Sequence, residues 1–183
     1  MKTKVLLLLL VGLLATTGST CINDGFLVAV NLPIEACFTI NEGPNLVFQG
    51  TQTLRLKDLI DASYLDNIKN ARFYDVRVRT EGTYNGTVYL VGNIDGTKIV
   101  ETQTQPWPWS DFATSQSLLL GSTKIKIEQP GLQQLVTRLN EFKTNPDVTV
   151  VLSANGTLSG QSPVPPGLSV CLEILAQVDA EVN

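Results

Sequence analysis

The stretch Phe26–Ile40 constrains the fold more than any other part of the chain. Every even-numbered residue in it is apolar, while Asn31, Pro33 and Glu35 stand among the odd-numbered ones. Successive side chains of a β-strand point to opposite faces of the sheet, so alternation over this length predicts a long strand with one buried face. The same alternation returns near the end of the chain, over Val170–Val178.

The rest of the chain also favours short strands separated by turns. Asp95-Gly96 predicts a tight hairpin turn, and Asn155-Gly156 predicts another. Helical spacing of apolar residues appears only in residues 57–70 and over Leu132–Phe142, where Pro130 suits the first turn. We therefore expect a mainly β protein, an antiparallel β-sandwich of about 7–8 strands with two short peripheral α-helices.

The N-terminal residues predict export. Two lysines open the chain, and an apolar run, Val5–Ala15, leads through small residues to Cys21. A basic start, an apolar run of about 7–15 residues and a small-residue exit are typical of a secretory signal peptide, and a spanning helix needs about 20 apolar residues. We expect residues 1–20 to be a signal peptide and residues 21–183 to be one β-sandwich domain in the bacterial cell envelope or outside the cell.

The three cysteines suggest two roles. An odd number in an exported chain leaves one thiol to be explained. Cys21 follows the signal-like segment and is the candidate for lipidation, although Gly18 and Thr20 depart from the usual lipoprotein pattern. Ordinary cleavage within residues 17–20 is the alternative, and it would leave Cys21 as a free thiol or as a partner for another cysteine.

Cys37 and Cys171 are candidates for a disulfide. Each lies on the mostly polar face of a predicted terminal strand. If the first and last strands are neighbours, the two cysteines can bridge, and closing so long a loop stabilises the fold by about 4–5 kcal/mol in the chain-entropy model. Two unpaired cysteines are the alternative.

The composition excludes many kinds of chemistry. The chain has no histidine, its one methionine is the first residue, and its 17 acidic residues outnumber its 13 basic ones. We expect no metal site, no cofactor and no nucleic-acid partner, since these need clustered ligands or clustered basic residues. Catalysis by two carboxylates, as in glycan hydrolases, is the enzymatic alternative. Its candidate acids are Asp58, Asp61, Asp66, Asp75 and Glu81.

Two motifs suggest surface roles. The segment "PWPWSDF" places Trp107 and Trp109 between prolines, which favour extended backbone, and exposed tryptophans are frequent anchors for a protein or glycan partner. The alternative is that these rings close one end of the sandwich. The "NGT" motifs at Asn85 and Asn155 suit either tight turns or N-glycosylation.

The sequence therefore predicts an exported, non-enzymatic binding, adhesion or assembly module. Its contact with a membrane would come only through the lipid on Cys21. The alternative is a structural subunit that assembles by β-strand addition and donates Phe26–Ile40 as its strand.

Overall fold

A computed structural model describes residues 26–102, 105–117 and 123–182. The described strands are β1 Phe26–Ile40, β2 Val47–Arg55, β3 Ile68–Glu81, β4 Gly86–Ile94, β5 Thr97–Thr102, β6 Trp107–Pro108, β7 Gln116–Ser117, β8 Ile125–Ile127, β9 Thr149–Gly160 and β10 Leu168–Val182. Two antiparallel sheets face each other, one with the strand order β1-β10-β3-β7 and the other β2-β9-β4-β5-β8, with β6 also beside β4. The predicted β-sandwich is confirmed, and the strand number is higher than expected because the 105–117 connection adds two two-residue strands.

The first and last strands are neighbours, as the pattern predicted. β1 pairs with β10 along its whole length, from Phe26 opposite Val182 to Ile40 opposite Leu168. The even-numbered side chains of β1 from Leu32 onward are buried between the sheets. Burial of this inner face removes apolar area from water, which is a main source of the stability of the sandwich.

One α-helix, α1 (Gln129–Phe142), lies among the described residues and packs against β5 and β3. Pro130 occupies its first turn, where a missing N–H costs nothing. Its buried side chains include Leu135 and Leu139. Gly131 allows the close approach to the sheet, because a Cβ atom there would lie 2.5 Å from the Cα of Ile99.

The prediction of a helix over residues 57–70 is wrong. The chain forms two short 3₁₀ turns instead, Leu56–Leu59 and Ala62–Asn67, and β3 already begins at Ile68. Asp61 separates the two turns, since its carboxylate accepts a hydrogen bond from the Ser63 N–H at 2.9 Å and starts the second turn.

Only one of the two expected tight turns forms. Asp95 and Gly96 both have positive φ, 48° and 78°, and they connect β4 to β5 as predicted. Asn155-Gly156 lies instead in the middle of β9, which is paired on both sides by β2 and β4. A Cβ atom on Gly156 would lie 2.7 Å from Phe48 Cζ, so this glycine makes room for a core ring and does not form a turn.

Candidate functional site

The outer face of the four-stranded sheet is built around a disulfide. Cys37 of β1 and Cys171 of β10 are directly opposite in the register, with their Cα atoms 4.0 Å apart, and their sulfurs are bonded. The predicted pair is confirmed. Cys171 is buried and Cys37 is half-buried, so the bond lies beneath the side chains that flank it. Cys21 lies outside the described residues.

Arg79 of β3 connects three acids beside this disulfide. Its Nε donates to Glu173 at 2.8 Å, one terminal nitrogen donates to Glu35 at 2.9 Å, and the other donates to Glu81. The hydrogen bonds to Glu173 and Glu81 raise the pKa of Arg79 above its ordinary range. The guanidinium therefore ties β1, β10 and β3 together on the surface above the disulfide.

A second ion pair extends this network toward β7. Arg77 donates to Asp75 at 2.6 Å, and Ser117 donates to the other oxygen of Asp75 at 2.9 Å. Ser115 donates to Glu173 at 2.7 Å. The carboxylates on this part of the face are thus held by cations and hydroxyl groups.

Glu35 and Glu173 bring two carboxylates together on this face. They are directly opposite on β1 and β10, and a shallow groove runs between them, flanked by Pro33 and Leu175. Both carboxylates accept from the same guanidinium, that of Arg79. Because one guanidinium joins both carboxylates across β1 and β10, this geometry favours a structural role.

The two sulfurs of this cluster are not available as metal ligands. The Glu35 carboxylate and the sulfurs of Cys37 and Cys171 lie within 4.8 Å of one another. Each sulfur is bonded to the other, and a disulfide sulfur is not the thiolate that a metal binds.

The acids proposed from the 57–70 segment do not converge. Asp58 pairs with Arg55 at 2.9 Å, and Asp61 accepts hydrogen bonds from Ser63. The hydrogen bonds from the Ser63 backbone and side chain lower the pKa of Asp61. Asp66 makes no described hydrogen bond or ion pair within residues 26–102, 105–117 and 123–182.

The two tryptophans occupy different environments. Trp109 is 2% exposed, donates to the Gly82 carbonyl at 3.0 Å and packs edge-on against Tyr84 at 5.8 Å between ring centroids. It closes one end of the sandwich, as the alternative interpretation expected, and its indole is not available to a partner. Trp107 is half-buried, with the Lys124 ammonium 5.7 Å from its ring centroid.

Trp107 also has an unusual polar feature. Its Nε1 is buried and has no acceptor among the described residues. Lys124 pairs with Asp111 at 2.7 Å as well as covering the ring. Trp107 therefore presents a partly covered aromatic surface where β6 lies beside β4 in the six-stranded sheet.

Asp95 links the β4–β5 turn to the helix and to β9. Its carboxylate accepts from Arg138 at 2.6 Å, from Gln134 at 3.0 Å and from the Val151 N–H at 3.0 Å. Burial alone would raise the pKa of Asp95, but these hydrogen bonds outweigh it, and the pKa lies below its ordinary value. The sequence predicted the turn at Asp95 but not these partners, because they lie far along the chain.

The two "NGT" asparagines are both exposed. Asn85 lies in the connection just before β4, and Asn155 lies on the outer face of β9. The side chains are accessible at both positions.

Comparison with known proteins adds no family. No protein-family model matches this sequence, and neither does any curated protein. Among solved structures, a chain of Desmodium yellow mottle tymovirus aligns with 9% identity and a TM-score of 0.34, covering 86% of this chain and 90% of that chain. A likeness at this level supports no inference about function.

The disulfide bears on the cellular compartment. The Cys37–Cys171 disulfide is typical of proteins outside the cytosol, where thiols are not kept reduced. No helix among the described residues is long and apolar enough to cross a membrane.

Proposed function

We propose that this chain is an exported β-sandwich protein of the cell envelope or extracellular space, and that it acts as a non-catalytic binding, adhesion or assembly module anchored by a lipid on Cys21. The Cys37–Cys171 disulfide carries this proposal. Disulfides persist in oxidising compartments. Because the bond uses two of the three cysteines, Cys21 is the one that remains to be explained.

The position of Cys21 supports the anchor. It follows the apolar run Val5–Ala15, and only Ile22–Gly25 separate it from the start of β1. Four residues span at most about 14 Å, so a lipid on Cys21 would hold the sandwich close to the bilayer surface.

A non-catalytic role is supported by the state of the acids. The chain has no histidine. On the outer face of the four-stranded sheet, Glu35, Glu173 and Glu81 all accept hydrogen bonds from Arg79, which suits a structural network.

Trp107 is the aromatic surface that we assign to a protein or glycan partner. It is only partly covered, whereas Trp109 is buried. Isothermal titration calorimetry with candidate glycans or envelope proteins should show saturable binding to the native protein, and Trp107→Phe should weaken the affinity. Trp107→Phe keeps an apolar ring at the position and so preserves packing. An equal response in the variant would assign the binding elsewhere.

Intact mass of the protein from its own host tests the anchor and the bridge together. We expect a chain that begins at Cys21 with added acyl groups, and thiol alkylation at Cys37 and Cys171 only after reduction. Cys21→Ser should remove the acyl mass and leave the bridge. A chain that keeps residues 1–20 would contradict export, and an unacylated chain without them would indicate a released protein.

Assembly by strand addition is the second candidate function, and the observed sheet order favours one version of it. β1 is fully paired with β10 and covalently linked to it, which disfavours β1 as a donated strand. β1 is also the edge of its sheet, which favours it as an acceptor. Size-exclusion chromatography of a variant without residues 22–41 tests the donor version, because a truncated protein that stays folded and monomeric would contradict a donated β1.

A further inference from the structure

Among the described residues, no strand pairs with the outer edge of the first half of β1. β1 is the outermost strand of its sheet, so one side pairs with β10 and the other faces away. In an antiparallel pair, residues alternate between those bonded to the partner strand and those whose N–H and C=O point outward. Cys37 is of the outward kind, because its Cα lies only 4.0 Å from that of Cys171 and its carbonyl accepts from Gln52 Nε2 at 3.4 Å.

This alternation applies to all of β1, since the register with β10 runs without interruption from Phe26 to Ile40. The odd-numbered residues therefore direct their N–H and C=O outward. Pro33 is consistent with this assignment, because proline has no N–H and at an outward position none is needed. Leu27, Ala29 and Asn31 present their N–H and C=O groups along the edge, and no described residue makes a backbone hydrogen bond to them.

The two halves of this edge are protected differently. Natural edge strands are shielded by proline, by charged residues or by a covering segment. The second half of β1 has Pro33, Glu35 and the contact from Gln52. The segment Phe26–Leu32, here called the β1 edge segment, has no charged residue, and Phe26 and Leu27 are 78% and 65% exposed.

We propose that the β1 edge segment pairs antiparallel with the same segment of a second copy of this chain. A two-fold axis at Ala29 sets Leu27 opposite Asn31 of the second copy and forms about six backbone hydrogen bonds. Pairing ends on each side where the next outward residue is Pro33, which has no N–H to donate. The four-stranded sheets of the two copies thereby become one continuous sheet.

A second copy fits this edge for two reasons. The segment has no charge, so identical strands can lie opposite each other without like-charge repulsion. In this register, Val28 faces Val30 of the second copy, and the pair adds apolar contact between branched side chains. The inference rests on the assembly role in the proposed function and names its partner.

The dimer is expected to be weak in solution. A single short strand pair buries less than the about 1,200 Å² at the low end of stable interfaces, so we expect weak, concentration-dependent dimerisation. Two copies anchored to one membrane would meet at a higher effective concentration, which strengthens the pairing.

Ala29→Pro is the decisive variant. Ala29 is an outward position, so proline there leaves the β1–β10 ladder intact, as Pro33 does, but removes a central donor from the proposed interface. Thr39→Pro is the matched control, because it places proline at an outward position in the other half of β1. Equal thermal unfolding midpoints and circular dichroism spectra would show that both variants fold.

Sedimentation of the mature protein from about 10 μM to about 1 mM, in density-matched detergent if it is acylated, measures the dimer. We expect dimerisation of the native protein and of Thr39→Pro, and at least tenfold weaker dimerisation of Ala29→Pro. A native protein that stays monomeric throughout, or a dimer that Ala29→Pro does not weaken, would overturn the proposal. The intact-mass result is independent of this outcome, so the two proposals can fail separately.

Amide hydrogen exchange gives the residue-level test. The amides of Leu27, Ala29 and Asn31 should exchange fast in dilute protein and slow down as concentration rises. Those of Val28 and Val30 should be slow at every concentration, because they already bond to β10. Concentration-independent exchange at the three odd-numbered residues would contradict the interface.

Discussion

The two sheets of this sandwich differ in the bonds that link distant segments within each of them. The four-stranded sheet carries the chain ends on β1 and β10, and the Cys37–Cys171 bond joins them covalently. The six-stranded sheet has no cysteine among its described residues, and its corresponding tie is the Asp95 carboxylate, which joins the β4–β5 turn to β9 and α1. One tie responds to reductant and the other to acid, so each can be loosened separately.

This difference follows from what each tie must hold. β1 and β10 are far apart in the sequence, and a covalent link between them restricts the whole unfolded chain. The Asp95 tie holds one helix against one hairpin, and hydrogen bonds to a charged group are sufficient for that. We therefore expect removal of the disulfide to lower the stability of the whole fold, and loss of the Asp95 charge to have a smaller and more local effect on stability.

Removal of the disulfide should have the largest effect. We expect Cys37→Ala with Cys171→Ala to lower the free energy of unfolding by about 3–5 kcal/mol, since the closed loop is long. Denaturant unfolding measures this change. Reductant should destabilise the native protein similarly and leave the double variant unchanged. A reductant effect on the double variant would show that Cys21 contributes a bond of its own.

Removal of the Asp95 charge should have the next largest effect. Asn tolerates the positive φ of this turn, so Asp95→Asn removes the charge and keeps the backbone. We expect a loss of about 2 kcal/mol at pH 7, because three hydrogen bonds lose a charged acceptor. Asp58→Asn, at an exposed ion pair, is the control, and we expect a change below about 0.5 kcal/mol.

The Asp95 effect should depend on pH in a defined direction. Its pKa is lowered in the folded state, so its contribution is present above the ordinary value of 3.8 and is lost as the pH falls through the folded-state pKa. Native and Asp95→Asn proteins should therefore converge in stability as the pH falls below the folded-state pKa of Asp95. A difference that stays constant into acid would show that the charge of Asp95 is not the source of the effect.

Arg79 should contribute less than Asp95. Arg79→Lys keeps a positive charge but cannot reach three acids in fixed geometry, and we expect a loss of about 1 kcal/mol. Arg72→Lys is the control on the same strand, where the side chain is 53% exposed against 28% for Arg79. Equal losses for the two variants in urea unfolding would mean that the network above the disulfide has no special role.

The periodicity of the sequence predicted the covalent link in the four-stranded sheet. Alternation placed Cys37 and Cys171 on outer faces of the first and last strands, and pairing of those strands was enough to bring them together. The helix Gln129–Phe142 and the Asp95-Gly96 turn were likewise visible in local patterns.

Contacts between distant segments were not visible in that way. The Asp95 carboxylate meets Arg138 and Val151, whose positions depend on how the helix and β9 pack. Asn155-Gly156 has the composition of a turn, yet it continues a strand because Phe48 lies against Gly156 and strands flank it on both sides. Local preference was overridden by tertiary contact at that position.

The smallest effect on stability is expected at the start of β1, which neither the disulfide nor the Arg79 network contacts. Phe26→Ser with Leu27→Ser should change the free energy of unfolding by less than about 0.5 kcal/mol, because both side chains are already mostly in water. Leu32→Ser is the contrasting variant on the same strand, and since Leu32 is fully buried we expect it to cost about 3 kcal/mol or more. Urea unfolding of dilute monomer measures both. A large loss from the Phe26 and Leu27 changes would mean that these side chains are covered within the monomer, and the β1 edge segment would then not be free to pair with a second copy.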